Sequence, residues 1–151
     1  MTYNEIKGGH KGGHKNTKLD TTKSVPVLSE SALQQKCVMW FKNTFRSIRK
    51  LLYMNHNSGR KTMMSATTDV GLGLTKGIPD LFLAIPQEWP GHHGLYIEMK
   101  AVGGKVSDDQ VEVMKLLTEQ GYLCGLISTF EDFQDLINTY LKSTRYGSQT
   151  H

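Results

Sequence analysis

The sequence predicts an α/β domain in which helices flank a mixed sheet, with elements in the order α-β-β-β-α-β-α. Three observations carry this prediction. Apolar residues recur at helical spacing in three separate segments, Leu33 to Ile48, Val111 to Leu117 and Phe133 to Tyr140. Short apolar runs of strand length lie between them: Leu51–Met54, Leu81–Ile85, Leu95–Ile97 and Tyr122–Ile127. Runs of the two kinds alternate along most of the chain, as in a sheet whose faces are covered by helices.

Taken in order, residues 1–24 have almost nothing to bury. They contain the tandem Lys7-Gly8-Gly9-His10-Lys11-Gly12-Gly13-His14-Lys15, and paired glycines make ordering costly, so this stretch reads as a flexible basic tail. Metal chelation by His10 and His14, or phosphate tracking by the lysines, is the competing reading. Residues 25–142 form the folded domain and 143–151 a C-terminal tail. The first helix buries Leu33, Cys37, Trp40, Phe41, Phe45 and Ile48, with Lys36, Lys42, Arg46, Arg49 and Lys50 on its other faces. A strand over 51–54 leads to a turn at Asn57-Ser58-Gly59. Residues 62–76 are ambiguous: Thr62 to Asp69 could form a short helix before a loop containing Gly71, Gly73 and Gly77. Two strands follow, joined by a Pro/Gly/His loop. Ser107 opens a second helix carrying Val111, Met114, Leu117 and Val113, and Gly121 closes it. Tyr122–Ile127 is the last strand. Phe130–Leu141 is the last helix, with Phe133, Leu136, Ile137 and Tyr140 on one face.

Among 151 residues Lys and Arg number 18 against 14 Asp and Glu. That excess suits a polyanionic partner without requiring one. No apolar run is long enough to span a membrane, and the N-terminus lacks the apolar core of a signal peptide, so a soluble, cytoplasmic protein is expected. For a viral source the compartment would be the host cytoplasm. Cys37 and Cys124 sit in apolar segments without CxxC spacing and read as core thiols rather than a disulfide or zinc site.

The chemistry concentrates between Gly77-Ile78-Pro79-Asp80 and Ile97-Glu98-Met99-Lys100. Residues two apart in a strand share a face, so Glu98 and Lys100 project together. If the two runs pair as a hairpin, Asp80 at the start of one lies near the end of the other. Two carboxylates and an ammonium then converge, an oxygen-rich arrangement that suits a hard divalent cation. The lysine can orient or help deprotonate an attacking water. An ordinary cross-strand ion pair is the competing reading. Against it, Glu98 lies among Leu95, Ile97 and Met99, where a charge is costly unless it faces a site or is paired.

Several further pieces stand in a recognisable order: Glu30-Ser31-Ala32-Leu33-Gln34, Asn55-His56-Asn57-Ser58-Gly59-Arg60-Lys61, Gly77-Ile78-Pro79-Asp80-Leu81, Gly94–Lys100, Gly104–Gln110 and Gly121-Tyr122. Together they resemble the virus-type replication-repair nuclease (VRR-NUC) family, a branch of the PD-(D/E)xK superfamily, over about Leu28 to Leu141. The resemblance implies a restriction-endonuclease-like fold and a Mg²⁺- or Mn²⁺-dependent nuclease. It assigns the metal to Asp80, Glu98 and the main-chain carbonyl of Met99. Lys100 would position the water and stabilise developing charge, while Glu30 and Gln110 would reach the site from the first and second helices.

Other roles remain open for several of these residues. Glu30 lies in a first helical turn, where any carboxylate is favoured by the dipole. Ser31-x-x-Gln34 and Ser107-x-x-Gln110 each fit a capping box. Asn57, Arg60, Lys61 and Lys105 are the candidate DNA contacts, with a solvated basic surface as the alternative; Lys76 reads as solvated surface. His56 is a candidate neighbour of the site, and His92 and His93 read as loop residues. Ser58 replaces a glycine common in the family. The loop Pro86 to Gly94 would shape substrate access.

The expected function is therefore hydrolysis of DNA phosphodiester bonds, leaving a 5′-phosphate and a 3′-hydroxyl. The resemblance implies a homodimer acting on branched DNA such as four-way junctions. A non-catalytic nucleic-acid-binding module on the same fold, and a structural protein whose apparent site is a salt-bridge cluster, are the rival readings.

Overall fold

Helix α1 (Glu30–Thr44) begins where Ser29, in extended conformation, accepts a hydrogen bond from the Ala32 N–H at 3.3 Å. The cap is thus Ser29 rather than Ser31, and no capping box forms at Gln34. The structure, a computed structural model, describes residues 28–55 and 71–147. The expected helix over 62–69, the turn at 57–59 and both tails lie outside the described residues. Leu33, Cys37 and Phe41 form the buried stripe of α1. The helix stops at Thr44, short of the expected Ile48, yet Phe45 and Ile48 remain buried. Successive turns, Ile48 N–H to Phe45 O (3.1 Å) and Leu51 N–H to Ile48 O (2.8 Å), keep a three-residue step that mimics helical periodicity.

Strands β1 (Leu52–Met54), β2 (Leu81–Leu83), β3 (Leu95–Met99) and β4 (Leu123–Ile127) form one sheet in the order β1-β2-β3-β4. The first two pairings are antiparallel and β3–β4 is parallel. A parallel pair needs a crossover. Helix α2 (Asp108–Glu119) supplies it, and α3 (Phe130–Lys142) follows β4. The element order and mixed sheet match the sequence expectation. None of the helices among the described residues is long and apolar enough to cross a membrane.

Leu81, Leu83, Leu95, Ile97, Met99 and Ile127 line one sheet face and pack with α1 and with Phe133, Ile137, Tyr140 and Leu141 of α3. Tyr140 also donates its hydroxyl to the Ile85 carbonyl at 2.6 Å, and burial pushes its pKa up to about 12. The opposite face carries an aromatic row, Tyr53, Phe82 and Tyr96, joined by Tyr122.

Helix α2 covers that second face beside β4, where the Cys124 thiol donates to the Met114 carbonyl at 3.7 Å. Its apolar stripe differs from the expected one. Val111 is 57% exposed, whereas Val113, Met114 and Leu117 are half-buried. At 3.6 residues per turn, the residue that heads this inward stripe is Gln110.

The loop Pro86 to Gly94 does not adjoin the candidate site. It joins the end of β2 to the start of β3, whereas Asp80 precedes β2 and Glu98 lies near the end of β3. Its backbone is tied instead to Ser143 and Gly121, through Glu88 N–H at 2.8 Å and His93 N–H at 2.9 Å.

The approach to Asp80 is held from two sides. Asn55 donates its backbone N–H to the Asp80 carbonyl and its side-chain amide to the Pro79 carbonyl, both at 2.8 Å. Gly77 has φ +83°, and a Cβ there would lie 2.3 Å from the Asp109 carbonyl oxygen at the start of α2. Gly77→Ala combines left-handed strain with a backbone clash, so it should lower stability by about 2 kcal/mol or more. Urea unfolding checks this: the midpoint should fall with the slope unchanged.

Candidate active site

Asp80 is the last residue before β2, and its Oδ2 accepts the Met99 N–H at 2.9 Å. In the antiparallel register Leu81 pairs with Ile97, so continuing the pairing outward brings Asp80 alongside Glu98. Glu98 and Tyr96 share the sheet face opposite the main core, with Glu98 only 2% exposed. Its two oxygens differ. Oε1 accepts from the Lys100 ammonium at 2.9 Å and from the Gln110 side-chain amide. Oε2 is buried without a hydrogen-bond partner among the described residues.

Lys100 is 12% exposed, and its backbone N–H bonds to the Ile127 carbonyl at 2.8 Å, extending the β3–β4 ladder by one residue. Glu30, at the first position of α1, accepts the next backbone donor, Ala101 N–H, at 3.0 Å. Its place in the first turn and its contact beside the site are therefore both realised.

Gln110 both caps its helix and contacts Glu98. Its Oε1 accepts the Ser107 N–H at 3.0 Å while the Ser107 Oγ accepts the Gln110 N–H at 3.3 Å, completing the capping box. Its Nε2 donates to Glu98. Glutamate would close the cap equally well but has no proton to offer when ionised. Glutamine accepts at one end of its amide and donates at the other.

Burial raises the Glu98 pKa above the usual glutamate range; the Lys100 hydrogen bond opposes this, and the neighbouring Asp80 and Glu30 carboxylates reinforce it. For Lys100, burial alone would favour the neutral amine. The hydrogen bond and charge of Glu98, with Glu30 and Asp80, outweigh it and raise the pKa. The lysine is thus held as a cation, suited to orienting or neutralising oxygen rather than to accepting a proton.

Asp80, Glu98, Met99, Lys100, Gln110 and Glu30 accordingly meet at one end of the sheet. Lys105 is exposed in the loop before α2. Asn57, Arg60, Lys61 and His56 lie outside the described residues. Asn55 is the contributor that sequence reasoning missed. The available signal was a strand-ending residue whose short amide and backbone N–H can reach two successive carbonyls of a neighbouring segment. Among the described residues no group of three or more His, Cys, Asp or Glu side chains surrounds a single point. Two carboxylates and a main-chain carbonyl suit a hard cation that keeps several waters, rather than a closed zinc site.

Comparison with known proteins bears on the family and the fold. The profile of the VRR-NUC domain matches residues 22–129. A solved structure described as a "VRR_NUC domain protein" superposes with a TM-score of 0.64, covering 78% of this chain and 91% of that one. Identity is 22%, so the likeness speaks for the fold. No curated protein matches the chain in sequence.

A carboxyl whose pKa is higher folded than unfolded binds more protons in the native state. Stability therefore falls as pH rises from the ordinary glutamate range through the raised value of Glu98. In EDTA, Glu98→Gln should remove this pH dependence and melt no lower than wild type above that window. Thermal melts across pH check it; a Glu98→Gln protein that melts well below wild type throughout would identify a structural ion pair instead.

Proposed function

The chain belongs to the VRR-NUC domain family, and from that premise we propose that it is a metal-dependent nuclease hydrolysing phosphodiester bonds in DNA. The observation that carries this reading is the bare, buried Oε2 of Glu98 beside Asp80. A structural salt bridge accounts for Oε1 and leaves Oε2 without compensation, a cost of about 1–3 kcal/mol or more for a charged group. A cation answers it.

Asp80, Glu98 and the Met99 carbonyl are the groups that would hold Mg²⁺ or Mn²⁺. When bound, the ion would act as a Lewis acid, offsetting the charge that builds on the phosphodiester and making water more acidic. The protein's own residues do the positioning. Lys100 and Gln110 hold Oε1 of Glu98, which leaves Oε2 as the oxygen for the cation. The Met99 N–H fixes Asp80. The Lys100 ammonium, close to where phosphate oxygens would lie, orients the attacking water and stabilises the anionic transition state. Oxygen from water bonds to phosphorus as the bond to the 3′ oxygen breaks. The 3′ oxygen takes up a proton, and phosphate stays on the 5′ side.

Asp80→Ala removes a cation ligand and Lys100→Ala a charge in contact with the reacting phosphate. Each should reduce cleavage by about two orders of magnitude or more. The test is cleavage of labelled four-way junction, flap, duplex and single-stranded DNA with Mg²⁺, Mn²⁺ or EDTA, with melts to verify folding. Preference for branched DNA, with symmetric paired cuts in the junction, is the proposed selectivity and points to a homodimer. Tight binding without cutting under every condition would replace the enzyme with a binding module.

A further inference from the structure

Alternation along the strands sets two rows of side chains on the sheet face opposite the main core. The first holds Asp80 and Glu98, which the continued β2–β3 register brings side by side. The second is aromatic: Tyr53 pairs with Phe82, and Phe82 with Tyr96. Phe82 lies two residues beyond Asp80 and Tyr96 two before Glu98, so the rows are roughly 7 Å apart along the strands. The carboxylates of the candidate site and the aromatic rings are thus adjacent on one surface, fixed by the register of one hairpin.

The aromatic row is continuous. The rings of Phe82 and Tyr96 are 4.4 Å apart between centroids and tilted by 34°. Tyr53 packs edge-on to Phe82 at 5.7 Å, and Tyr122 edge-on to Tyr96 at 5.3 Å. A Cβ at Gly94 would lie 2.7 Å from the Phe82 ring, so the glycine is what lets that ring reach across onto β3. Among the strands α2 packs against β4 alone, where Met114 meets Cys124, and α1 and α3 pack on the core face. No described helix therefore covers Tyr53, Phe82 and Tyr96. Tyr53 is 46% exposed, and Phe82, Tyr96 and Tyr122 are half-buried. Three of the four rings are tyrosines, whose polar tips suit a wet surface while the ring offers flat apolar area.

We infer that this row is a stacking platform for an unpaired base next to the scissile phosphate, with Tyr96 and Tyr53 as positioning residues. The inference rests on the nuclease reading, which places that phosphate at Asp80 and Glu98. Aromatic side chains on an open sheet face hold single strands by stacking on their bases, whatever the sequence. A base inside a duplex already has both faces covered by its neighbours and must leave the stack to reach such a platform. The platform therefore selects a strand whose bases are unpaired at the point of cutting, a choice that phosphate contacts alone cannot make.

The test compares a fluorescent single-stranded DNA with a strand of equal length built from abasic tetrahydrofuran units, by anisotropy in EDTA across a salt titration. The two strands carry the same phosphates and differ only in their bases. Wild type should bind the base-bearing strand about tenfold more tightly, or better. Tyr53→Leu and Tyr96→Leu should each shrink that ratio, and Tyr96→Phe should keep it. The slope of log affinity against log salt, which reports phosphate contacts, should stay at the wild-type value in all three. Trp89→Leu, at an 80% exposed aromatic in the β2–β3 loop, is the control and should leave the ratio as it is. Melts verify folding, and the exposed edge position of Tyr53 keeps the test decisive if Tyr96→Leu fails to fold. In cleavage of a flap, one abasic unit moved along the single-stranded arm should slow wild type about tenfold beside the cut, and Tyr53→Leu should flatten that dip.

Equal affinity of wild type for the two strands, or a ratio unchanged in both leucine variants, would overturn the platform. An unchanged ratio with self-association lost in Tyr53→Leu, read by sedimentation, would assign the row to a second copy of the chain instead. Metal-dependent cutting that Asp80→Ala abolishes would show that the nuclease reading survives a failed platform. Conversely, a base-dependent ratio that the leucine variants lose, without cutting by any form of the protein, would keep the platform and overturn the nuclease.

Discussion

One carboxylate, that of Glu98, constrains this end of the molecule more than any other group. It sits on an otherwise apolar strand at 2% exposure, where an uncompensated charge would be costly. Its donors come from two elements, Lys100 beyond the end of β3 and Gln110 in the first turn of α2. Holding Gln110 there requires the Ser107 cap, and the cap places the start of α2 against the loop before β2. Gly77 is where the two backbones meet, too close for any Cβ. Asn55 then clamps Pro79 and Asp80 from the end of β1. Contacts distributed over 55 to 110 thus answer the demands of one buried group.

The unequal treatment of its two oxygens connects structure with the proposed chemistry. Among the described residues Oε1 has two donors and Oε2 has none. A site meant only to neutralise a buried charge would be expected to satisfy both. Burial raises the Glu98 pKa, with Asp80 and Glu30 adding to it, and the Glu98 hydrogen bond and charge keep Lys100 protonated. Such a site is electrostatically incomplete on its own and hostile to a polyanion. Under the proposed reading cation and nucleic acid arrive as mutually compensating ligands.

Much of this was legible in the chain because the relevant relationships are local. Asp80, Glu98 and Lys100 lie on one hairpin, where a two-residue period and antiparallel pairing decide which side chains meet. The helices α1, α2 and α3 were visible through apolar spacing, and Ser107 and Gln110 through the capping pattern. The errors have equally specific causes. Ile48 looked helical because consecutive turns preserve a three-residue step. Val111 looked buried because hydrophobicity was taken as a guide to the inward face, whereas the inward position belongs to the polar Gln110. Ser31 looked like a cap, but the chain enters the helix at Ser29. The motif residues Asn57, Arg60 and Lys61 lie outside the described residues.

What the sequence determined by itself, then, was the order of elements, the strand pairing that creates the site and the residues that converge there. These follow from short-range periodicity and from the cost of burying charge. Tertiary structure decided which oxygen of Glu98 receives donors, because Gln110 reaches it only after the chain crosses from β3 to β4. It also decided that Glu30 reaches this end of the sheet, where its carboxylate accepts the Ala101 N–H. The two residues are 71 positions apart, and no local period relates them. Only the packing of α1 against the sheet brings them together.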